Sequence, residues 1–153
     1  MVIQIDTREK QRAITKITAY FDESGIKHIS SKLYVGDYMN LDNPKTIVDR
    51  KQNLNELAGN VCQDKKRYIG EIKKAHDAGI KLIFLVEHSR NINTLEDVRH
   101  WKNPRLKVSP MAMSGERLYK VLSVLQDIYG VEYRFCQKSE TGKTIAELLA
   151  VSK

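Results

Sequence analysis

The sequence predicts an α/β fold, a mixed β-sheet flanked by helices on both faces. Three observations carry that reading. Segments of strand-like and helix-like periodicity follow one another in the order βαβββαβαβα. Residues 81–87, KLIFLVE, form a nearly continuous apolar run, as expected of a central strand covered on both sides. Residues 115–129 instead gather Leu118, Val121, Leu122 and Leu125 on one side of an amphipathic helix. The chain has 153 residues, which is about one domain, and no repeat, low-complexity stretch or linker divides 1–153.

Taken in order, residues 2–6 (VIQID) alternate apolar and polar and predict a short strand. Thr7 is placed to cap a helix from about Glu9 to Ser24, with Ala13, Ile14, Ile17, Ala19 and Tyr20 on or near one face and Gly25 as its stop. Residues 26–34 predict a strand, and 37–41 continue extended. Asp42-Asn43-Pro44 makes a turn, and 45–50 (KTIVDR) is the next strand, so 37–50 reads as an antiparallel hairpin. Residues 53–79 predict helix, interrupted near Gly59 and closed by Gly79. After the strand at 81–87 come a helix from Thr94 to Trp101, a loop bracketed by Pro104 and Pro110, the helix at 115–129, a strand at 131–135 and a last helix from Thr141 to Val151.

Composition narrows the function. Lys and Arg number 26 against 19 Asp and Glu, a net charge of +7, which favours a polyanionic partner, nucleic acid before membrane. The longest apolar run, Leu82 to Val86, is too short to cross a bilayer. The start of the chain reaches Asp6 at once, so no signal peptide is expected. Cys62 and Cys136 have no CxxC spacing, which excludes a structural zinc site and a disulfide framework and points to a reducing cytosol. Gly142-Lys143-Thr144 resembles the end of a P-loop, but the required first glycine would fall at Gln137. His28, His76, His88 and His100 lack metal-ligand spacing.

Chemistry-bearing residues cluster at predicted strand ends: Asp6-Thr7-Arg8-Glu9, Gly36-Asp37-Tyr38 and Asp49-Arg50-Lys51. Asp49 and Lys51 are two apart on a strand and so share a face. If Asp37 lies on the neighbouring hairpin strand, two carboxylates face one ion. Hard oxygen donors of this kind suit Mg²⁺ or Mn²⁺, which can polarise a phosphodiester and acidify a bound water. Lys51 can then orient that water or stabilise charge growing on the phosphoryl oxygens. Singly, Asp-x-Lys is most often a solvated edge and Gly-Asp a turn; their order, with a proline turn between them, is the informative feature.

These motifs resemble the XPF-type nuclease domain, a branch of the restriction-endonuclease-like PD-(D/E)xK superfamily. That family opens on Asp-x-Arg-Glu, continues with Gly-Asp-Tyr and then Glu-Arg-Lys, and has an Arg-aromatic pair downstream. Asp6-Thr7-Arg8-Glu9, Gly36-Asp37-Tyr38, Asp49-Arg50-Lys51 and Arg67-Tyr68 stand in those places. The resemblance covers residues 2 to about 90, and the tail looks like that of short stand-alone phage and mobile-element members. Two positions depart from the pattern: Asp49 replaces the usual Glu, and Asn55 stands where an Asp is common, with Glu56 the nearest acid. No Gly-x-Gly pair occurs, so no helix-hairpin-helix module is expected.

The resemblance implies a restriction-endonuclease-like fold and a metal-dependent endonuclease for flap, fork or junction DNA, working as a homodimer in DNA repair or recombination. It implies a cytoplasmic, nucleoid-associated protein of a bacterial or phage-infected cell. Asp37 and Asp49, with the Arg50 carbonyl, would hold Mg²⁺ or Mn²⁺, and Lys51 would be the catalytic amine. Asp6 and Glu9 would complete the catalytic set at the mouth of the site, as second ligands or through water. Arg8, Arg50 and Arg67 would contact phosphates or hold carboxylates. The alternative is a non-catalytic DNA-binding subunit, against which Asp37, Asp49 and Lys51 all speak.

Two basic segments are candidates for the nucleic-acid path. Residues 99–107, RHWKNPRLK, carry Arg99, Lys102, Arg105 and Lys107 around the single Trp, Trp101, with no acid among them. A core Trp beside a solvated charge run is the ordinary alternative. Lys65, Lys66, Arg67, Lys73 and Lys74 follow the candidate site on a helix. Glu87 closes the buried strand, where a solvated strand end is the simplest expectation.

Overall fold

A computed structural model of the chain describes residues 1–88 and 90–150. Its six strands are β1 (Val2–Ile5), β2 (Lys27–Ser30), β3 (Tyr38–Asn40), β4 (Asn43–Lys51), β5 (Lys81–Glu87) and β6 (Glu132–Cys136). They form one sheet in the order β2-β1-β3-β4-β5-β6. β3 pairs antiparallel with both β1 and β4, and every other pairing is parallel. The carboxyl ends of β1, β4 and β5 therefore meet along one edge, with the start of β3 between them, and side chains from distant parts of the sequence converge there.

Five helices cover the sheet: α1 (Thr15–Glu23), α2 (Leu54–Cys62), α3 (Lys65–Asp77), α4 (Gly115–Tyr129) and α5 (Thr141–Leu149). The alternation of strand side chains sorts the interior into two cores. Ile47, Leu82, Phe84, Val86 and Tyr133 pack with α2, α3 and α4 on one face. Ile3, Ile5, Val48, Ile83 and Leu85 pack with α1 and α5 on the other. This is the mixed sheet with helices on both faces that the sequence predicts, and β5 is apolar from Leu82 to Val86 because both its faces are covered.

Element boundaries differ from expectation where side chains are spent elsewhere. Thr7 does not cap a helix, because Asp6 accepts the Arg8 backbone N–H at 3.0 Å and turns the chain; a short 3₁₀ turn at Gln11–Ala13 precedes α1. β2 stops at Ser30, since Leu33 N–H donates to Asp6 at 2.7 Å rather than to a strand. The long helix breaks at Gln63-Asp64 instead of at Gly59; the Gly59 carbonyl accepts from both of those N–H groups and closes α2. The helix expected over 94–101 is a 3₁₀ turn at Glu96–His100, and a second lies at Pro104–Lys107 within the expected loop. α5 ends at Leu149, and Val151 lies outside the described residues.

Candidate active site

The site begins with a glycine. Gly36 adopts φ +73°, and a Cβ there would collide with the Ile47 side chain, so only glycine turns the chain into β3 at this close approach. Asp37 follows at once and is tied on three sides. Its N–H donates to the Val48 carbonyl at 2.9 Å, its carbonyl accepts from Asp6 N–H at 2.8 Å, and its Oδ2 accepts from Arg50 N–H at 2.8 Å. The carboxylate is therefore anchored against β4, whose register sets Tyr38 opposite Val48.

β4 divides its side chains between the faces. Asp49 and Lys51 follow Ile47 toward α2 and α3. Lys51 Nζ lies 3.5 Å from Asp49 Oδ1 and 5.8 Å from the ring centroids of Tyr68 and Phe84, so its stem is walled by aromatic carbon. Arg50 follows Val48 to the opposite face. Its guanidinium donates to both Glu9 oxygens at 2.7 and 2.9 Å and to Glu87 Oε1 at 2.6 Å. Glu87 in turn accepts from the Thr141 hydroxyl at 2.6 Å. All four groups are nearly removed from water except Glu9, which reaches the cleft, so this network is a buried ionic clamp joining β1, β4, β5 and α5.

Asp37, Asp49 and Lys51 open into a cleft of about 330 Å³. Glu56 and Asn60 of α2 and Asp64, Arg67 and Glu71 around the start of α3 make one wall, and Arg8 and Glu9 make the other. The Asn60 Oδ1 is buried without a protein partner. Burial, then the Asp49 charge and the Glu9 charge, push the Asp37 carboxyl well above the usual range. Burial also pushes Asp49 up, against the pull of Lys51. Asp6 behaves in the opposite way. Burial works to raise it, but hydrogen bonds from the Arg8 side chain, Leu33 N–H and Arg8 N–H outweigh burial and hold it below the usual range.

Two buried carboxylates with raised pKa values, one of them raised in part by the charge of the other, are what a divalent cation would relieve, and their hard oxygens suit Mg²⁺ or Mn²⁺. Among the described residues no group of three or more His, Cys, Asp or Glu is gathered closely enough to form a complete protein cage. That fits an ion such as Mg²⁺, which commonly binds through one or two carboxylates and keeps several waters.

The expected residues are thus brought together unevenly. Asp37, Asp49, Arg50 and Lys51 share the cleft with Glu9, Arg8 and Arg67. Asp6 does not line it; it is fully buried and organises the turn after β1. Arg8 bonds to Asp6 at 2.6 Å and to the Gly36 carbonyl at 3.3 Å, so it holds the rim of the cleft. Segment 99–107 lies outside the cleft, on the far side of α2, where Asn103 and Arg105 face Asn55, Gly59 and Cys62. There Arg99 is paired with Glu96 at 2.7 Å and Glu116 at 3.2 Å over the Tyr119 ring, and Trp101 is half-buried against the core. Lys102, Arg105 and Lys107 are exposed, with no ion pair among the described residues.

Glu87 corrects the expectation of a solvated strand end: it is buried and holds Arg50 and Thr141. The signal for this was an acid closing an otherwise apolar strand, since a charge at such a depth requires a partner. The partner itself lies 37 residues away and has no local signature.

A sheet of this order, with the carboxyl ends of β1, β4 and β5 meeting over paired carboxylates, defines a known class: the chain belongs to the ERCC4 domain family, whose model matches residues 5–148. Among solved structures it is similar to XPF from Aeropyrum pernix, with TM-score 0.69 and 20% identity over 97% of this chain and 63% of that one. It is also similar to XPF from Aeropyrum pernix in complex with DNA, with TM-score 0.67, 20% identity, and 97% and 62% of the two chains covered. The chain therefore spans less than two thirds of the length of these relatives, and at this identity they establish the fold. No curated protein matches.

Proposed function

We propose that this chain is a metal-dependent endonuclease that hydrolyses DNA phosphodiesters, selective for flap, fork or junction structures. The observation that carries the reading is the meeting of Asp37 and Asp49, from adjacent antiparallel strands, with Lys51 in one cleft. Family membership, the net charge of +7 and the DNA complex of a structural relative support it; selectivity for branched DNA rests on the resemblance to XPF-type domains.

Asp37 and Asp49 would hold Mg²⁺ or Mn²⁺, with the Arg50 carbonyl as a third donor. Such an ion supplies a Lewis acid for the phosphodiester and lowers the pKa of a water. The Lys51 ammonium, confined by Tyr68 and Phe84, lies beside Asp49 to meet negative charge developing on the phosphoryl oxygens. Arg67 and the exposed edge of Arg8 flank the cleft to receive neighbouring phosphates. Glu9, through Arg50, positions the strand ends. Two copies of the chain would place two such clefts about one axis, as paired cuts across a symmetric junction require.

The first test is binding of the ion itself. Titration of Mn²⁺, followed by the paramagnetic resonance of the free ion, should show binding to the unsubstituted chain that is lost in Asp37→Ala and in Asp49→Ala. Equal binding by both variants contradicts the assignment.

A further inference from the structure

Tyr34 is three residues before Asp37, and the residue is 60% exposed. Lys74 of α3 sits over that ring, with Nζ 4.1 Å from the centroid. The pair borders a second depression, lined by Lys32, Tyr34, Lys45, Ala78 and Ile80 among others, and no acidic residue lines it. Lys45 also donates to the Ala78 carbonyl at the end of α3 at 2.9 Å.

One face of α3 runs from the active-site cleft to this depression. On α3, Arg67, Glu71, Lys74 and Ala78 follow one another at intervals of four, three and four, so they share one helical face. Arg67 and Glu71 line the cleft, Lys74 covers Tyr34, and Ala78 lines the depression. On the facing side, Arg8 lines the cleft and donates to the Gly36 carbonyl, two residues from Tyr34. A track thus leaves the cleft between α3 and residues 32–36 and ends in lysines around an open aromatic ring.

We infer that Tyr34 and Lys74 form a stacking and phosphate-contacting station for a single-stranded arm of the DNA as it leaves the cleft, an inference that rests on the nuclease reading above. An exposed aromatic face with adjacent cations suits unpaired bases, since every base presents a π-face, whereas in duplex DNA those faces are stacked on one another. Along α3, Lys74 is seven residues beyond Arg67, about 10 Å, which spans about three nucleotides at stacked spacing. The station therefore selects for DNA with an unpaired strand about three nucleotides beyond the phosphate that meets Arg67.

The experiment uses the full chain in EDTA, which keeps substrate uncut, and a flap DNA carrying 2-aminopurine at successive positions of the arm. One position of the arm should be quenched on binding. Tyr34→Ala should remove that quench and weaken flap binding roughly 5- to 100-fold, the range of one stacked base, with duplex of equal length unaffected. Tyr34→Phe should behave as the unsubstituted chain, and Lys74→Gln should lower the magnitude of the salt slope on the flap by about 0.7. An unchanged flap affinity and quench in Tyr34→Ala, or an equal loss on duplex, overturns the inference. If the unsubstituted chain cleaves DNA in Mg²⁺ while Tyr34→Ala changes nothing, only the station fails; if it cleaves no DNA, the nuclease reading falls with it.

Discussion

Asp37 is held where burial and then the Asp49 charge disfavour its ionisation, and Asp49 where burial does, and the sign of the consequence can be worked out. Their folded pKa values are raised, so the folded chain keeps protons that the unfolded chain has released. The stability this contributes is complete below the ordinary carboxylate value of about 4 and is lost as pH rises through the folded values. Asp37→Asn cannot ionise but can still accept from Arg50 N–H. Without divalent metal it should therefore melt above the unsubstituted chain at neutral pH, with the gap closing toward pH 4. A variant that melts lower at pH 8, in EDTA, contradicts the repulsion. At this scale the pairing of Asp49 with Lys51 was legible, because a strand repeats every two residues. The Arg50–Glu9–Glu87–Thr141 clamp was not, since it joins four segments far apart in sequence and leaves only one trace, the acid that ends β5.

The elements with strong periodicity, β5 and α4, match their expected ranges closely, because their apolar patterns are set by the two cores. The elements that shifted are those where aspartate side chains captured backbone N–H groups: the turn after β1, the end of β2 and the segment after β5. That capture changes what the basic segment at 99–107 can do. Arg99 is held by Glu96 and Glu116, whereas Arg105 is exposed. If the segment follows a phosphate backbone, Arg105→Ala should reduce the magnitude of the salt slope of duplex binding by about 0.9, while Arg99→Ala leaves it unchanged. Equal effects of the two substitutions would show that the ion pairs open on binding; no effect of Arg105→Ala would remove the segment from the interface.

For the whole molecule, the apolar faces of α4 and α5 are mostly core: Leu118, Leu122 and Leu125 pack beneath α4, and Ile145, Ala146 and Leu149 beneath α5. Val124 and Ile128, one turn apart on α4, remain exposed. We propose that this pair is buried between two copies of the chain in the dimer. Light scattering at micromolar concentration should give twice 17.6 kDa for the unsubstituted chain and 17.6 kDa for Val124→Glu/Ile128→Glu. A monomer in both cases, with and without DNA, refutes the dimer and leaves the single cleft intact. No helix among the described residues is long and apolar enough to cross a membrane.

The central claim is that the cleft is a metal-dependent nuclease site, and the direct measurement is cleavage of end-labelled duplex, single-stranded, flap, fork and four-way junction DNAs. With Mg²⁺ or Mn²⁺ the unsubstituted chain should cut the branched substrates in preference to duplex, and EDTA should stop it. Asp49→Ala should be inactive, and Lys51→Ala should lose at least about 10²-fold, the usual cost of removing one transition-state donor, while both still fold and bind DNA. Cleavage that persists in EDTA, or full activity of either variant at matched protein and metal, would contradict the account.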